Sequence, residues 1–183
     1  MRDLQKEILF FWFEQSSPAQ WFQINEDFDA LVLKQFESAY DLARQGILEN
    51  WKETPEGCLA YIILLDQFPR NMFRGTAKAF DTDLKALEIA KYAVEKYYDK
   101  TLSATQRRFI YLPFEHSEEQ GEQERSVALF QTTKDDDPLG YDYALRHKEI
   151  IDRFGRYPHR NAMLGRESTG EELEWLKDPN NGF

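Results

Sequence analysis

The residues best suited to chemistry lie in three segments, 64–80, 112–118 and 147–161, which together contain all three histidines of the chain. The first segment contains Asp66, the second contains His116 and Glu118, and the third contains His159. Histidine exchanges a proton near neutral pH, and a neighbouring carboxylate can orient its ring. These four residues are therefore the predicted catalytic set, acting as general acids and bases in hydrolysis or group transfer.

An arginine-asparagine pair occurs in two of these segments. Residues 68–75 read FPRNMFRG and residues 157–166 read YPHRNAMLGR, so each has an aromatic residue, a proline, Arg-Asn, a methionine and an arginine beside a glycine. A guanidinium group can bind a carboxylate or phosphate through two parallel hydrogen bonds. The predicted ligand-binding residues are Arg70, Asn71, Arg74, Arg156, Arg160 and Asn161.

We expect both Arg-Asn turns and the 115–118 segment to meet at one end of a stack of helices. Four arginines facing inward would form a local positive well, although the protein as a whole is acidic. The predicted function is the binding of a small anionic ligand or an acidic peptide terminus. The alternative is a hydrolase or transferase acting on a phosphorylated or carboxylated small molecule.

The same residues have two further interpretations without chemistry. Asp66 and Arg70 are spaced as an i, i+4 helix pair, and arginines at helix ends can bond free carbonyl groups, so the cluster could be a structural network. Stacked helical hairpins also commonly present a concave groove to a peptide, which would make the protein an interaction scaffold.

The metal-ligand pattern is weak. His116 and Glu118, joined by His147 or His159, could supply nitrogen and oxygen ligands, but no H-x-x-x-H or H-E-x-x-H spacing is present. Nearby arginines would also repel a cation, so no metal and no cofactor is predicted. The absence of a Gly-rich phosphate loop and of G-x-S-x-G disfavours nucleotide-dependent and α/β-hydrolase chemistry.

A single apolar helix must position these groups. Residues 58–65 contain no charged side chain, and apolar groups point in every direction of a helical wheel. A helix that is apolar all round is covered on all sides, so this one is the predicted centre of the fold. It leads directly into Asp66, and Pro69 is expected to end or kink it.

The other helices are predicted from cap residues and apolar stripes. The cap signals lie at Asp3, Asn25, Thr54, Asp81, Ser103, Ser117, Asp137 and Thr169. Residues 15–24 are expected to be a loop. No stretch alternates with period two over the length of a strand, so the predicted class is all-α, with about eight helices in antiparallel pairs. One domain is expected over residues 1–183.

Several longer motifs resemble those of a known family. They are FWF (11–13), LLDQFPRNMFRGTAKAF (64–80), LPFEHSE (112–118), HKEIIDRFGRYPHRN (147–161) and LGREST (164–169). The chain resembles, over nearly its whole length, a mainly bacterial family known only as a domain of unknown function. The resemblance implies a helical fold similar to tetratricopeptide repeats, as a short right-handed superhelix, and it implies no particular activity or substrate.

Composition limits the partners and the location. The formal net charge of −10 argues against a nucleic acid or an anionic membrane as the main partner. Cys58 is the single cysteine, which excludes an internal disulfide framework. The apolar run 8–13 is too short for a signal peptide or a membrane span, so a cytoplasmic protein is expected. The sequence leaves the oligomeric state open.

Overall fold

Every regular element in residues 3–178 and 181, which the structure describes, is helical. In this computed structural model the helices are α1 (Leu4–Phe10), α2 (Pro18–Phe22), α3 (Glu26–Arg44), α4 (Pro55–Ile62), α5 (Phe68–Met72), α6 (Asp83–Glu95), α7 (Ala104–Glu115), α8 (Gln120–Gln131), α9 (Pro138–Phe154) and α10 (Gly170–Trp175). A π-helical turn, Ile63–Gln67, joins α4 to α5, so these described residues contain nine separate helices. The all-α prediction is confirmed.

The continuous helix formed by α4 and α5 lies at the centre, as predicted. From Cys58 to Phe68 no residue is more than 5% exposed. Helices α1, α6 and α7 pack against α4, and α3 packs against α5. Helices α6 to α9 each pack against the next. A right-handed superhelix of the tetratricopeptide type stays a prediction.

The proline in this helix explains its irregular turn. Thr54 accepts a hydrogen bond from the Gly57 N–H at 3.1 Å and caps the helix start. Pro69 has no N–H to donate to the carbonyl group of Leu65, four residues earlier. The Thr82 hydroxyl donates to that Leu65 oxygen instead, at 2.6 Å. The helix therefore continues past Pro69 through a π-helical turn rather than ending there.

Three local predictions are wrong. Asp81 does not cap α6, which begins at Asp83 with Thr82 in the N-cap position. Residues 15–24 are not a loop throughout, because Ser17 and Gln20 form a capping box that starts α2 at Pro18. Ser117 does not cap α8, which begins at Gln120 with Glu119 in the N-cap position. The Ser117 backbone is held elsewhere, since its carbonyl oxygen accepts a hydrogen bond from the side chain of Gln123.

Aromatic side chains fill the main core. Phe11, Trp12, Phe36, Phe68 and Phe109 are at most 4% exposed, and neighbouring rings in this group lie 4.6–6.1 Å apart. A separate small cluster of Ile150, Ile151 and Tyr157, with Phe154 and Trp175 beside it, packs the C-terminal part. Within the described part of the chain, no helix combines the length and the apolar character that crossing a bilayer requires.

Candidate functional site

A buried aspartate-histidine pair lies where the π-helical turn meets the end of α7. Asp66 is fully buried, and its Oδ1 lies 2.8 Å from Nδ1 of His116, the residue that follows α7. Gln67 Nε2 donates to the other oxygen of Asp66 at 2.6 Å. Burial opposes ionisation, but Arg70 and His116 together hold the pKa of Asp66 below its usual range.

The environment keeps His116 neutral near pH 7. Burial and the charge of Arg70 lower the pKa of His116, and they outweigh the attraction of Asp66. Because ionised Asp66 can only accept, Nδ1 of His116 is the donor, and its Nε2 carries the free electron pair. This is the tautomer that a general base needs.

Two arginines from the two Arg-Asn turns meet at one carboxylate. Arg70 donates to both oxygens of Asp83, at 2.8 and 3.0 Å, and to the backbone oxygen of Asp66 at 2.6 Å. Arg160 approaches the same Asp83 carboxylate, but only to 3.7 Å. The first Arg-Asn turn, the second Arg-Asn turn and the end of α7 are thus neighbours.

Arg160 is the least satisfied cation of this cluster. It is 7% exposed, and its Nη1 donates to the backbone oxygen of His116 at 3.0 Å. Its buried Nε has no hydrogen-bond partner among the described residues. The guanidinium group lies 4.8 Å from the ring centre of Phe80 and 4.4 Å from that of Tyr157. Burial and the nearby charge of Arg70 lower the pKa of Arg160.

Glu118 belongs to an adjoining ion pair rather than to His116. Arg166 donates to both oxygens of Glu118, at 2.6 and 2.9 Å, and Tyr157 N–H donates to one of them at 2.8 Å. Arg166 also donates to the side-chain oxygen of Asn161 at 2.9 Å. Burial opposes the charge of Glu118, but Arg166 holds its pKa below the ordinary value.

Four residues predicted to belong to the site lie outside the group formed by Asp66, His116, Arg70, Asp83 and Arg160. Three of them bind carboxylates on other helices, and the fourth is next to Arg160. Asn71 and Arg74 donate to Asp29 on α3, at 2.6–2.9 Å, and Arg156 donates to both oxygens of Glu172. The expected inward well of four arginines therefore reduces to Arg70 and Arg160, because carboxylates on other helices hold the remaining two. His159, next to Arg160, has its pKa lowered to about 4 by burial and by that arginine.

A second buried acid lies behind His116. Glu115 is 3% exposed, its Oε1 lies 3.3 Å from Nδ1 of His147, and its Oε2 has no hydrogen-bond partner among the described residues. Burial raises the pKa of Glu115 to about 8. Its backbone oxygen accepts from Gln123 Nε2 at 2.8 Å and from the Tyr157 hydroxyl, and these bonds satisfy the end of α7 that positions His116.

Two depressions of the surface lie outside this cluster. A depression of about 580 Å³ lies between α1 and α3, and one of about 340 Å³ lies beside Arg156 and Glu172. In residues 3–178 and 181, no group of three or more His, Cys, Asp or Glu side chains is arranged to hold a metal ion.

Asp83, Asp29 and Phe80 were not predicted from the sequence as part of the site. Asp83 is 13 residues from Arg70 and Asp29 is 45 from Arg74, so no local spacing links either carboxylate to its arginine. Phe80 is the last residue of the motif at 64–80 that resembles the family, so its place in this motif was a signal from which it could have been predicted as a site residue.

The fold and the site define an all-helical protein with a buried Asp-His pair beside two converging arginines. The chain belongs to the family described as a bacterial protein of unknown function (DUF924), whose model matches residues 8–180. It is also similar to a solved structure of a protein of unknown function, ATU0120, from Agrobacterium tumefaciens. That chain is 39% identical, with a TM-score of 0.90, over 96% of this chain and 97% of the other. No curated protein matches the sequence.

Proposed function

We propose that this protein binds a small anion-bearing ligand at the Arg160 site, which we define as Asp66, Arg70, Asp83, His116 and Arg160. The observation that carries the proposal is the incomplete pairing of Arg160. Arg70 already takes both oxygens of Asp83 at 2.8 and 3.0 Å, whereas Arg160 stays at 3.7 Å.

A buried donor without a partner costs about 1–3 kcal/mol. Among the residues that the structure describes, Arg160 makes one hydrogen bond, through Nη1, and its buried Nε makes none. An incoming oxyanion that hydrogen-bonds the guanidinium would recover part of this cost. The terminal carboxylate of an acidic peptide offers the same chemistry as a small carboxylate, so both ligands fit the proposal.

The direct test is a thermal-shift series with acetate, benzoate, phosphate and sulfate at constant ionic strength. A ligand that binds the native state alone raises the melting temperature in a concentration-dependent way. Arg160→Lys keeps the charge but loses the planar fork, so we expect it to abolish the shift. Arg74→Lys is the matched control, because Arg74 is held by Asp29 away from the site.

The control should retain the shift of the wild-type protein. A shift that survives Arg160→Lys would place the ligand elsewhere. No shift with any anion would contradict the proposal and favour an interaction scaffold. A cytoplasmic location belongs to this proposal as an expectation from the sequence.

The Asp66–His116 pair favours a second function, hydrolysis or group transfer on such a ligand. His116 presents a neutral imidazole oriented by a buried carboxylate, which is the arrangement of a general base. His116→Asn would keep a donor toward Asp66 and remove the base. If the site is catalytic, this variant should keep the anion-induced thermal shift and lose turnover of an anionic test substrate such as mono-p-nitrophenyl succinate or phenyl phosphate. Turnover that persists in His116→Asn would contradict this role.

A further inference from the structure

We infer that the ligand of the Arg160 site presents a single carboxylate on an apolar or aromatic body, rather than a phosphate. This inference rests on the proposed function and narrows its ligand class. It is carried by the charge balance around Arg160, by the helix end that borders the site and by the ring of Phe80.

The charges around Arg160 are already nearly balanced. Three carboxylates and three guanidinium groups lie in or directly beside the site. Asp66 and Asp83 both contact Arg70. Glu118 contacts Arg166, and Arg160 approaches Asp83. A carboxylate adds one negative charge, whereas a phosphate monoester adds about 1.5 to 2 at neutral pH. Because only one guanidinium group is incompletely paired and three carboxylates are already present, the single negative charge of a carboxylate fits this site better than the larger charge of a phosphate.

The position of the site at the C-terminal end of a helix also favours a carboxylate over a phosphate. Arg160 donates to the backbone oxygen of His116, directly after α7, so the site borders the C-terminal end of that helix. This end carries a partial negative charge, which disfavours a dianion. Phosphate sites typically use the opposite end of a helix, where free N–H groups point outward. The first turn of α6 already contains its own anion, Asp83, held by Arg70.

Hydrogen-bonding geometry favours a planar group. Nη1 of Arg160 is directed at the backbone oxygen of His116 and toward Asp83, while Nε has no partner within the described part of the chain. The side of the guanidinium that carries Nε and Nη2 matches the two oxygens of one carboxylate in a bidentate contact. A carboxylate bound on this side would give the buried Nε the hydrogen-bond partner that it lacks among the described residues.

Phe80 supplies the apolar contact. Its ring is half-buried, and the guanidinium groups of Arg160 and Arg70 lie 4.8 and 5.8 Å from its centre. A carboxylate held by Arg160 would therefore place the rest of its molecule near this ring. An aryl or aliphatic body would gain from contact with Phe80, as apolar surface generally does when it leaves water.

Benzoate and phenyl phosphate form a matched pair of probes, since they share a ring and differ in the anion. Isothermal titration into the full-length protein at pH 7.5 and fixed ionic strength should show saturable binding of benzoate and at least tenfold weaker binding of phenyl phosphate. Arg160→Lys should weaken benzoate at least tenfold, whereas Arg74→Lys should leave it unchanged. Phe80→Leu should weaken benzoate more than acetate.

The outcomes separate the two proposals. Phenyl phosphate binding as tightly as benzoate, or more tightly, with the same dependence on Arg160, would overturn the carboxylate inference and support the proposed function. Equal loss of acetate and benzoate in Phe80→Leu would overturn the role of the ring. Absence of saturable binding by all of these anions would overturn the proposed function itself.

Discussion

The buried carboxyl of Glu115 yields a quantitative prediction about stability and pH. The attraction of Arg108, which is itself paired with Asp137, does not offset the burial of this carboxyl. Its Oε1 faces the imidazole of His147 at 3.3 Å, and its Oε2 has no hydrogen-bond partner among the described residues. Ionising a carboxyl in such a place is costly, so Glu115 is protonated in the folded protein at neutral pH.

The change of the unfolding free energy with pH follows from the linkage between proton binding and folding. Burial raises the pKa of Glu115 from its ordinary 4.5 to about 8. The stability that this neutral carboxyl supports is fully present below pH 4.5, and it is lost as the pH rises to about 8, because only the unfolded chain releases the proton in that range. At about 1.4 kcal/mol per pH unit, the loss reaches about 5 kcal/mol. That is a large share of the 5–15 kcal/mol typical of a folded domain.

Glu115→Gln tests this directly, since glutamine resembles the protonated acid. Urea unfolding of the variant and the wild-type protein at pH 5, 6, 7 and 8 gives the difference in unfolding free energy, in which the other titrating groups cancel. This difference should move in favour of the variant by about 1.4 kcal/mol per pH unit. Exposed Glu124→Gln is the control and should show no such trend. A flat difference for Glu115→Gln would show that the carboxyl is ionised in the folded state.

Two further predictions concern the bonds that position the site. Thr82→Val should lower the unfolding free energy by about 1–2 kcal/mol, because the buried Leu65 oxygen loses its donor. The same change should lower the unfolding free energy less in a Pro69→Ala background, where residue 69 regains an N–H that can donate to Leu65. Urea unfolding measures both losses. Equal losses in the two backgrounds would contradict the role of Thr82 in replacing the N–H that Pro69 lacks. Arg166→Gln and Glu118→Gln, which remove the partners of a bidentate ion pair, should show a coupling energy of about 1–3 kcal/mol in a double-mutant cycle. Additive losses would contradict a direct contact.

The central helix and most helix starts could be predicted because their causes are local. A run of apolar residues from Cys58 to Leu65 fixes the burial of α4, and Thr54-Pro55 fixes its start. The helix at Pro18–Phe22 was also within reach, since Ser17 and Gln20 have the capping-box spacing. The expected loop overlooked this spacing.

The partners of the arginines could not be predicted, because they come from distant parts of the chain. Arg70 and Arg74 are four residues apart, yet one binds Asp83 on α6 and the other binds Asp29 on α3. Sequence spacing gives the face of a helix on which an arginine lies, but the carboxylate opposite depends on how the helices pack. The distinction between the incompletely paired Arg160 and the fully paired Arg156 therefore required the structure.

The free capacity of Arg160 for an anion can be observed at the NMR resonance of its side-chain Nε–H group. In a ¹H–¹⁵N NMR titration with benzoate, the Nε–H signal of Arg160 should shift and saturate, while that of Arg74, already bound to Asp29, should stay in place. An Arg160 signal that does not respond at benzoate concentrations that saturate the protein, or arginine signals that all drift together without saturation, would contradict the account.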